Sequence, residues 1–421
     1  MASGAAGPGR DGDLPPRPGE GLGGDFWRFA SAYTGIALAD GVRFAALPLL
    51  AASITREPLA VAAVGAAQTL PWLVVNLPSG VFVDRHDRLR IMRAAAAVRV
   101  ALMAILIAAL LSHLGSVGLL VGLGFMLGCA DTFGGNASVG LVRGLVQRRQ
   151  LERANGVVGG VNSVAAGLVG PALGSILFAT ADALPFAADV FAVLISLALL
   201  LSLPGTFRAV PAGEPSGSAG IWEEMVEGVR WLWHHRALRI LALLVAASNL
   251  AWGMAQGILV LFVLEVMRLP RAAYGPLVAS LAMGGLTGAV LGGRFGGRWR
   301  TAPVLAGILG AQAAALALAG AVPTVAAVVV AMVVAGLAAA VWDVMVVAFR
   351  QRVVPDHLLG RVTSGFRFVG IGAAPAGALL GGLLAAATGL RAPFFAGAGL
   401  MAVASLAALA LLRPDDLRVA D

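Results

Sequence analysis

A chain of 421 residues that is 59% hydrophobic and only 12% charged, with a mean hydropathy of +0.88, has too few polar side chains to wet the outside of a soluble fold. Those proportions exclude a water-soluble multidomain enzyme, and they equally exclude a disordered chain, which needs low hydrophobicity. The net charge of +8 does not point to nucleic acid, because all 30 basic residues are arginines scattered in small groups between apolar runs instead of gathered on one aromatic-studded face.

In chain order, residues 1–25 are rich in Gly and Pro with Asp and Glu between them, and read as a disordered cytoplasmic tail without the apolar stretch of a signal peptide. Beyond the tail come apolar segments of the length needed to cross a bilayer, about 20 residues each. Twelve can be placed, at 27–52, 59–83, 91–112, 117–143, 154–179, 185–203, 237–264, 273–293, 302–321, 324–349, 363–387 and 392–412. The expected fold is an all-α integral membrane protein with twelve transmembrane helices in two pseudo-symmetric six-helix halves, 26–203 and 237–412. Between the halves, 204–236 reads as a cytoplasmic linker ending in an amphipathic stretch, in which Ile221, Met225, Val229 and Leu232 recur at helical spacing. That stretch is expected to lie on the membrane surface. Residues 413–421 form a second cytoplasmic tail.

The arginines fix an orientation. Loops 2–3, 4–5, 8–9 and 10–11, the linker and both termini collect 21 of them, whereas the opposite loops carry only Arg56, Arg268, Arg271 and Arg391. Both termini are therefore expected in the cytoplasm, in a multi-pass protein of the inner or plasma membrane. A shift of about 208–210 residues superposes Arg88-Leu-Arg90 on Arg298-Trp-Arg300, Leu151-Glu-Arg153 on Leu359-Gly-Arg361, and Asp40 on Asn249. One nearly constant offset, close to half the length, points to homologous halves, the plan of secondary transporters with a substrate site between them.

Charges within apolar spans are costly and mark functional candidates. Asp40 and Arg43 lie at i, i+3 in the first span, Asp131 in the fourth and Asp343 in the tenth. A carboxylate that alternates between burial and a positive neighbour can load and release a proton. Asp40, Asp131 and Asp343 are thus proton-coupling candidates, with Arg43 and Arg143 as partner charges; the competing role for Asp40 and Arg43 is a static pair that only holds the bundle. Arg99 and Arg367 are read as lying near span ends. Asn249, Trp252 and Gln256 share one face of the seventh span and are candidates for lining a cavity. The single cysteine, Cys129, and five scattered histidines offer no metal-ligand spacing, so no metal or cofactor is expected. A Lys-free chain also has no P-loop for ATP.

Two motifs carry a resemblance. Gly80, Asp84, Arg85 and Arg88, after the second span, follow the pattern G-x-x-x-D-R-x-x-R and resemble the loop 2–3 signature of the major facilitator superfamily, read as a gating loop in which Asp84 accepts from arginines or caps a neighbouring helix. The superfamily often has Gly where Asp87 stands. Gly170, Pro171 and Gly174 in the fifth span resemble the antiporter motif of superfamily exporters, with Ala166 and Ser175 in place of glycines. Together with segments around Asp40–Pro48, Arg153–Gly156, Glu227–Trp233 and Arg350–Arg361, the resemblance narrows to the enterobactin-exporter and macrolide-efflux-like branch, the transmembrane secretion effectors. It implies a monomeric, non-enzymatic secondary transporter that exports drug-like or siderophore-like small molecules in exchange for protons. A proton-coupled importer of a small nutrient and a non-transporting membrane scaffold or sensor are the alternatives.

Overall fold

A computed structural model describes residues 21–208, 218–295 and 302–412. The first six apolar segments become α1 (Gly24–Ile54), α2 (Pro58–Val74) with α3 (Asn76–Arg85), α4 (Arg88–Leu111), α5 (Val117–Leu145), α6 (Leu151–Val161) continuing into α7 (Gly170–Thr180), and α8 (Leu184–Leu201). After α9 (Ser218–His234) the second six are α10 (Arg236–Leu261), α11 (Tyr274–Phe295), α12 (Ala302–Ala321), α13 (Val325–Val353), α14 (Asp356–Ile371) with α15 (Ala373–Thr388), and α16 (Ala392–Leu411). Among the described residues eleven helical stretches are long and apolar enough to span a bilayer, and the α2–α3 pair, bent by 57°, makes twelve when taken as one span.

That bend has a local cause. Pro78 has no N–H to give the Val74 carbonyl, and its ring crowds that carbonyl, so the helix cannot run straight through. The polar groups at the break are satisfied from α5: the Asn136 side-chain amide donates to the Asn76 side chain at 3.0 Å, to its carbonyl at 3.3 Å, and to Ser79 at 2.7 Å. Irregular backbone at membrane depth is tolerated where protein supplies such partners.

Both halves repeat one packing plan. α1 lies against α7 and α8, α4 against α5 and α8, and α2 against α5; in the second half α10 lies against α15 and α16, α12 against α13 and α16, and α11 against α13. The halves join along two equivalent seams, α2 with α15 and α7 with α11. Glycine makes the seams close: a Cβ on Gly382 would sit 2.9 Å from the Leu59 Cα, and one on Gly275 would strike the Pro171 backbone. Ser175 donates to the Ala272 carbonyl at 3.0 Å across the second seam. Arg271 pairs with Asp182 at 3.1 Å and Arg56 with Glu265 at 3.7 Å, both at the arginine-poor ends of the helices.

The arginine-rich ends use their cations structurally as well as topologically. Arg93 donates to the last carbonyls of α8, at 2.8 Å to Leu200 and 3.1 Å to Leu203, where a cation complements the helix dipole. The amphipathic linker helix packs one side on α14. Its Gly228 and Val229 pack on Arg361 and Gly365 of α14, Leu232 is fully buried, and Glu227 pairs with Arg361 at 2.5 Å. Gly228 and Gly365 let the two helices approach closely at this contact.

Candidate functional site

Four helices of the first half bring five charges together in the middle of the bundle. α1 supplies Asp40 and Arg43, α4 supplies Arg99 from its midpoint, α5 supplies Asp131 and α8 supplies Asp189. Arg99 holds Asp189 through two parallel bonds, Nε to Oδ1 at 3.1 Å and Nη2 to Oδ2 at 2.5 Å, and its remaining Nη1 donates to Asp40 Oδ1. Arg43 gives a single nitrogen, Nη2, to both Asp40 Oδ1, at 3.2 Å, and Asp131 Oδ2. Its Nε and Nη1 are buried without a partner.

The two arginines therefore differ in kind. Arg99 is fixed by a bidentate, solvent-free pair, the strong geometry for guanidinium and carboxylate. Arg43 hangs on one nitrogen and can shift between Asp40 and Asp131 at little cost. With all groups ionised, three carboxylates face two guanidiniums, leaving one negative charge in excess. That charge is accessible, because Asp189 is sealed while the side chains of Asp40 and Asp131 are 37% and 24% exposed. Both line a cavity of about 410 Å3 together with Tyr33, Trp72, Asn162 and, from the second half, Arg367.

The backbone next to this site is shaped by glycine and proline. A Cβ on Gly170 would lie 2.6 Å from the Cα of Gly41, so α7 and α1 touch backbone to backbone one residue from Asp40. A Cβ on Gly174 would lie 2.9 Å from the Val42 Cα. Ahead of Pro171, residues Asn162–Val169 widen into a π-helical turn, a feature common at functional sites. That turn carries Asn162 to the cavity, 3.5 Å from the Tyr33 hydroxyl.

The network unites Asp40, Arg43 and Asp131 and leaves other expected members out. Arg143 is exposed and makes no ion pair among the described residues; Arg99 takes the place foreseen for it, because Arg99 lies halfway along α4, away from a span end, and faces α1 and α8. Asp343 stands apart on α13, with Arg350 and Arg367 in electrostatic range. Asn249, Trp252 and Gln256 do not line the cavity. The Trp252 indole donates instead to Gln312 Oε1 of α12 at 2.9 Å, where Ser248 also donates at 3.1 Å.

In the loop, Asp84 is 72% exposed, makes a long 3.5 Å pair with Arg88, and caps no neighbouring helix. Asp87 has that capping role: it accepts from the Arg90 N–H at 2.8 Å and the Phe207 N–H at 2.7 Å, fastening the start of α4 to the end of the first half. Arg88 reaches α5, donating to the Gly140 carbonyl at 3.2 Å. Gly80 faces open space. Sequence reasoning missed Asp189 altogether, although it is the lone charge in a strongly apolar span and was findable by the rule applied to Asp40.

The sequence pattern of the Major Facilitator Superfamily matches residues 29–370 and again 241–420. The multidrug efflux pump Tap of Mycolicibacterium fortuitum is 27% identical over 376 residues, which cover 85% of this chain and 88% of Tap. Among solved structures, the fold is similar to a bacterial homologue of the human lysosomal transporter Spinster, inward-facing and occupied (TM-score 0.73, 13% identity, 94% of this chain and 98% of that one). It is also similar to a bacterial homologue of the iron transporter ferroportin in an inward-facing state (TM-score 0.70, 16% identity, 92% and 97%) and to the nucleoside transporter NupG (TM-score 0.75, 11% identity, 92% and 100%). With a match across nearly the whole chain and twelve spans in two halves, this chain belongs to the major facilitator superfamily, a family of multi-pass membrane transporters of small molecules.

Proposed function

We propose that the chain exports drug-like or siderophore-like small molecules across the cell membrane by proton antiport, with the two halves, 26–203 and 237–412, rocking about the cavity between them. The observation that carries this reading is the network of three carboxylates and two guanidiniums, one negative charge in excess, with Asp40 and Asp131 open to the cavity. An unpaired charge at membrane depth is costly, so the network favours taking up one proton or one cationic group.

Asp40 is the first choice for the proton. Both arginines bond its Oδ1, which leaves Oδ2 without a partner among the described residues. Protonation there would release Arg43 fully to Asp131, a shift of one bond on α1, the helix that touches α7 at Gly41 and Gly170. Loss of the proton would draw Arg43 back. Substrate nitrogen and proton then compete for the same carboxylates, which is what antiport requires. Gly80, Asp84, Arg85 and Arg88 act as the cytoplasmic gate in this reading, and Gly170, Pro171 and Gly174 as the pivot.

Ion pairs and glycine seams tie the halves at the arginine-poor side, which supports a cytoplasm-open conformer of a monomer with both termini in the cytoplasm. The likeness to Tap over most of both chains supports efflux.

The test is accumulation of macrolides, other lipophilic drugs and catecholate siderophores in an efflux-deficient bacterial host, with and without a protonophore. Expression should lower accumulation of a subset, and the protonophore should restore it. Lowered accumulation that ignores the protonophore would remove proton coupling, and raised accumulation would reverse the direction.

A further inference from the structure

The two halves carry charge excesses of opposite sign. On the first half, Asp40, Asp131 and Asp189 outnumber Arg43 and Arg99 by one. On the second half, Asp343 lies in electrostatic range of both Arg350 and Arg367, without an ion pair to either among the described residues, leaving one positive charge in excess. Arg350 is engaged: it is only 8% exposed and sits 4.9 Å over the Phe366 ring. Arg367 is exposed and makes no hydrogen bond or ion pair among the described residues.

Arg367 is also the second half's contribution to the cavity wall, opposite Asp40 and Asp131. Arg367 is exposed, so water solvates it in the open cavity, and a ligand anion that displaces that water gains a charge-assisted pair. The carboxylates across the cavity are already committed to Arg43 and Arg99. An anionic group on a ligand would therefore find Arg367 uncommitted. Trp72 and Tyr33 also line this cavity of about 410 Å3, a volume in the usual range for a drug-sized molecule.

We propose that this cavity is a site for zwitterionic amphiphiles, holding a ligand's basic nitrogen against Asp40 and Asp131, its carboxylate against Arg367, and an aromatic body against Trp72. The inference rests on the cavity being the transport site. A lipophilic monocation of the same shape satisfies one wall and leaves Arg367 exposed to a like charge, so it binds more weakly. The Arg367 guanidinium can accept a planar carboxylate in the bidentate geometry that a lysine ammonium cannot reproduce.

The experiment uses the full chain in lipid nanodiscs and measures binding of ciprofloxacin, a zwitterion at neutral pH, and of its methyl ester, which keeps the amine and loses the carboxylate. Wild type should bind the zwitterion at least about tenfold more tightly. R367A should bring the two affinities together by weakening the zwitterion alone, and R367K should keep part of the preference; thermal unfolding of each variant verifies its fold. Equal affinities in wild type, equal weakening of both ligands in R367A, or binding of neither ligand would overturn the proposal. Proton-driven movement of the same pair in proteoliposomes separates the two readings. Transport without a preference for the zwitterion sinks this inference and leaves antiport standing. A preference in binding without proton-driven transport does the reverse.

Discussion

Arg99 on α4 grips Asp189 on α8 through two nitrogens, at 3.1 and 2.5 Å, with side-chain exposures of 3% and 0%. This pair is the fixed post of the charge network: it aims the remaining Nη1 of Arg99 at Asp40 and leaves Arg43 as the movable partner. A buried ion pair adds little stability over a hydrophobic replacement of both members, but removal of one member strands the other.

Asp189→Ala should therefore destabilise the folded protein by about 3–5 kcal/mol, whereas the double replacement of Arg99 and Asp189 by Met and Leu should recover most of that loss. Thermal unfolding in detergent followed by tryptophan fluorescence reads both. A single variant as stable as wild type would mean that another carboxylate takes over the grip on Arg99.

Asp40→Asn leaves two carboxylates against two guanidiniums and removes the excess charge. The variant should fold, continue to exchange external for internal substrate in proteoliposomes, and lose uphill transport driven by a pH gradient, at least about tenfold in initial rate. Asp131→Asn leaves Asp40 in place and should keep measurable uphill transport. If the two substitutions act in the opposite order, the proton is held on Asp131.

The twelve spans were legible because lipid as solvent demands about 20 apolar residues per crossing, and the chain obeys with hardly an exception; the bend after Val74 went unread in the unbroken span 59–83, although Pro78 marks it. Within the site, Asp40, Arg43 and Asp131 stood out as charges in apolar runs. Arg99 was misread as a residue near a span end because arginines crowd the start of α4, and the eye extends that cluster inward. What sequence could not supply is which helix faces meet. Arg143 and Arg99 are both arginines on spans, and only the packing of α4 between α5 and α8 decides that Arg99 meets the acids. Nor could the sequence show that Arg367 of the second half lines the same cavity as Asp40 and Asp131. Asp87 was read as a departure from a family pattern, yet it is the buried cap that a chain turning sharply into α4 needs.

Gly170→Ala should be costly where Gly156→Ala is not. A Cβ at Gly170 would meet the Gly41 Cα at 2.6 Å, and only movement of α1 or α7 could relieve it, while a Cβ at Gly156 meets nothing within 4 Å. Overpacking of this kind costs about 1–3 kcal/mol; alanine in place of an unhindered helical glycine gains about 0.5–1 kcal/mol. Thermal unfolding should separate the two by several degrees in opposite directions, and transport should fall only for Gly170→Ala, since the displaced α1 carries Asp40.

The closure at the arginine-poor side rests partly on Arg271 with Asp182 and Arg56 with Glu265, and all four side chains are substantially exposed. Exposed pairs contribute at most about 1 kcal/mol each, but the balance between two transporter conformers is itself only a few kcal/mol. Replacing both Arg56 and Arg271 by Ala should move the population toward the conformer open on that side by several-fold, because the two lost pairs together are comparable to that balance. Spin labels placed at Ser53 and Ala181, each paired with one at Leu269, would report the change as growth of a longer distance. Charge exchange at one site, Arg271→Asp with Asp182→Arg, should restore part of the wild-type distribution; a distribution untouched by loss of both arginines would show that the helix seams alone hold the closure.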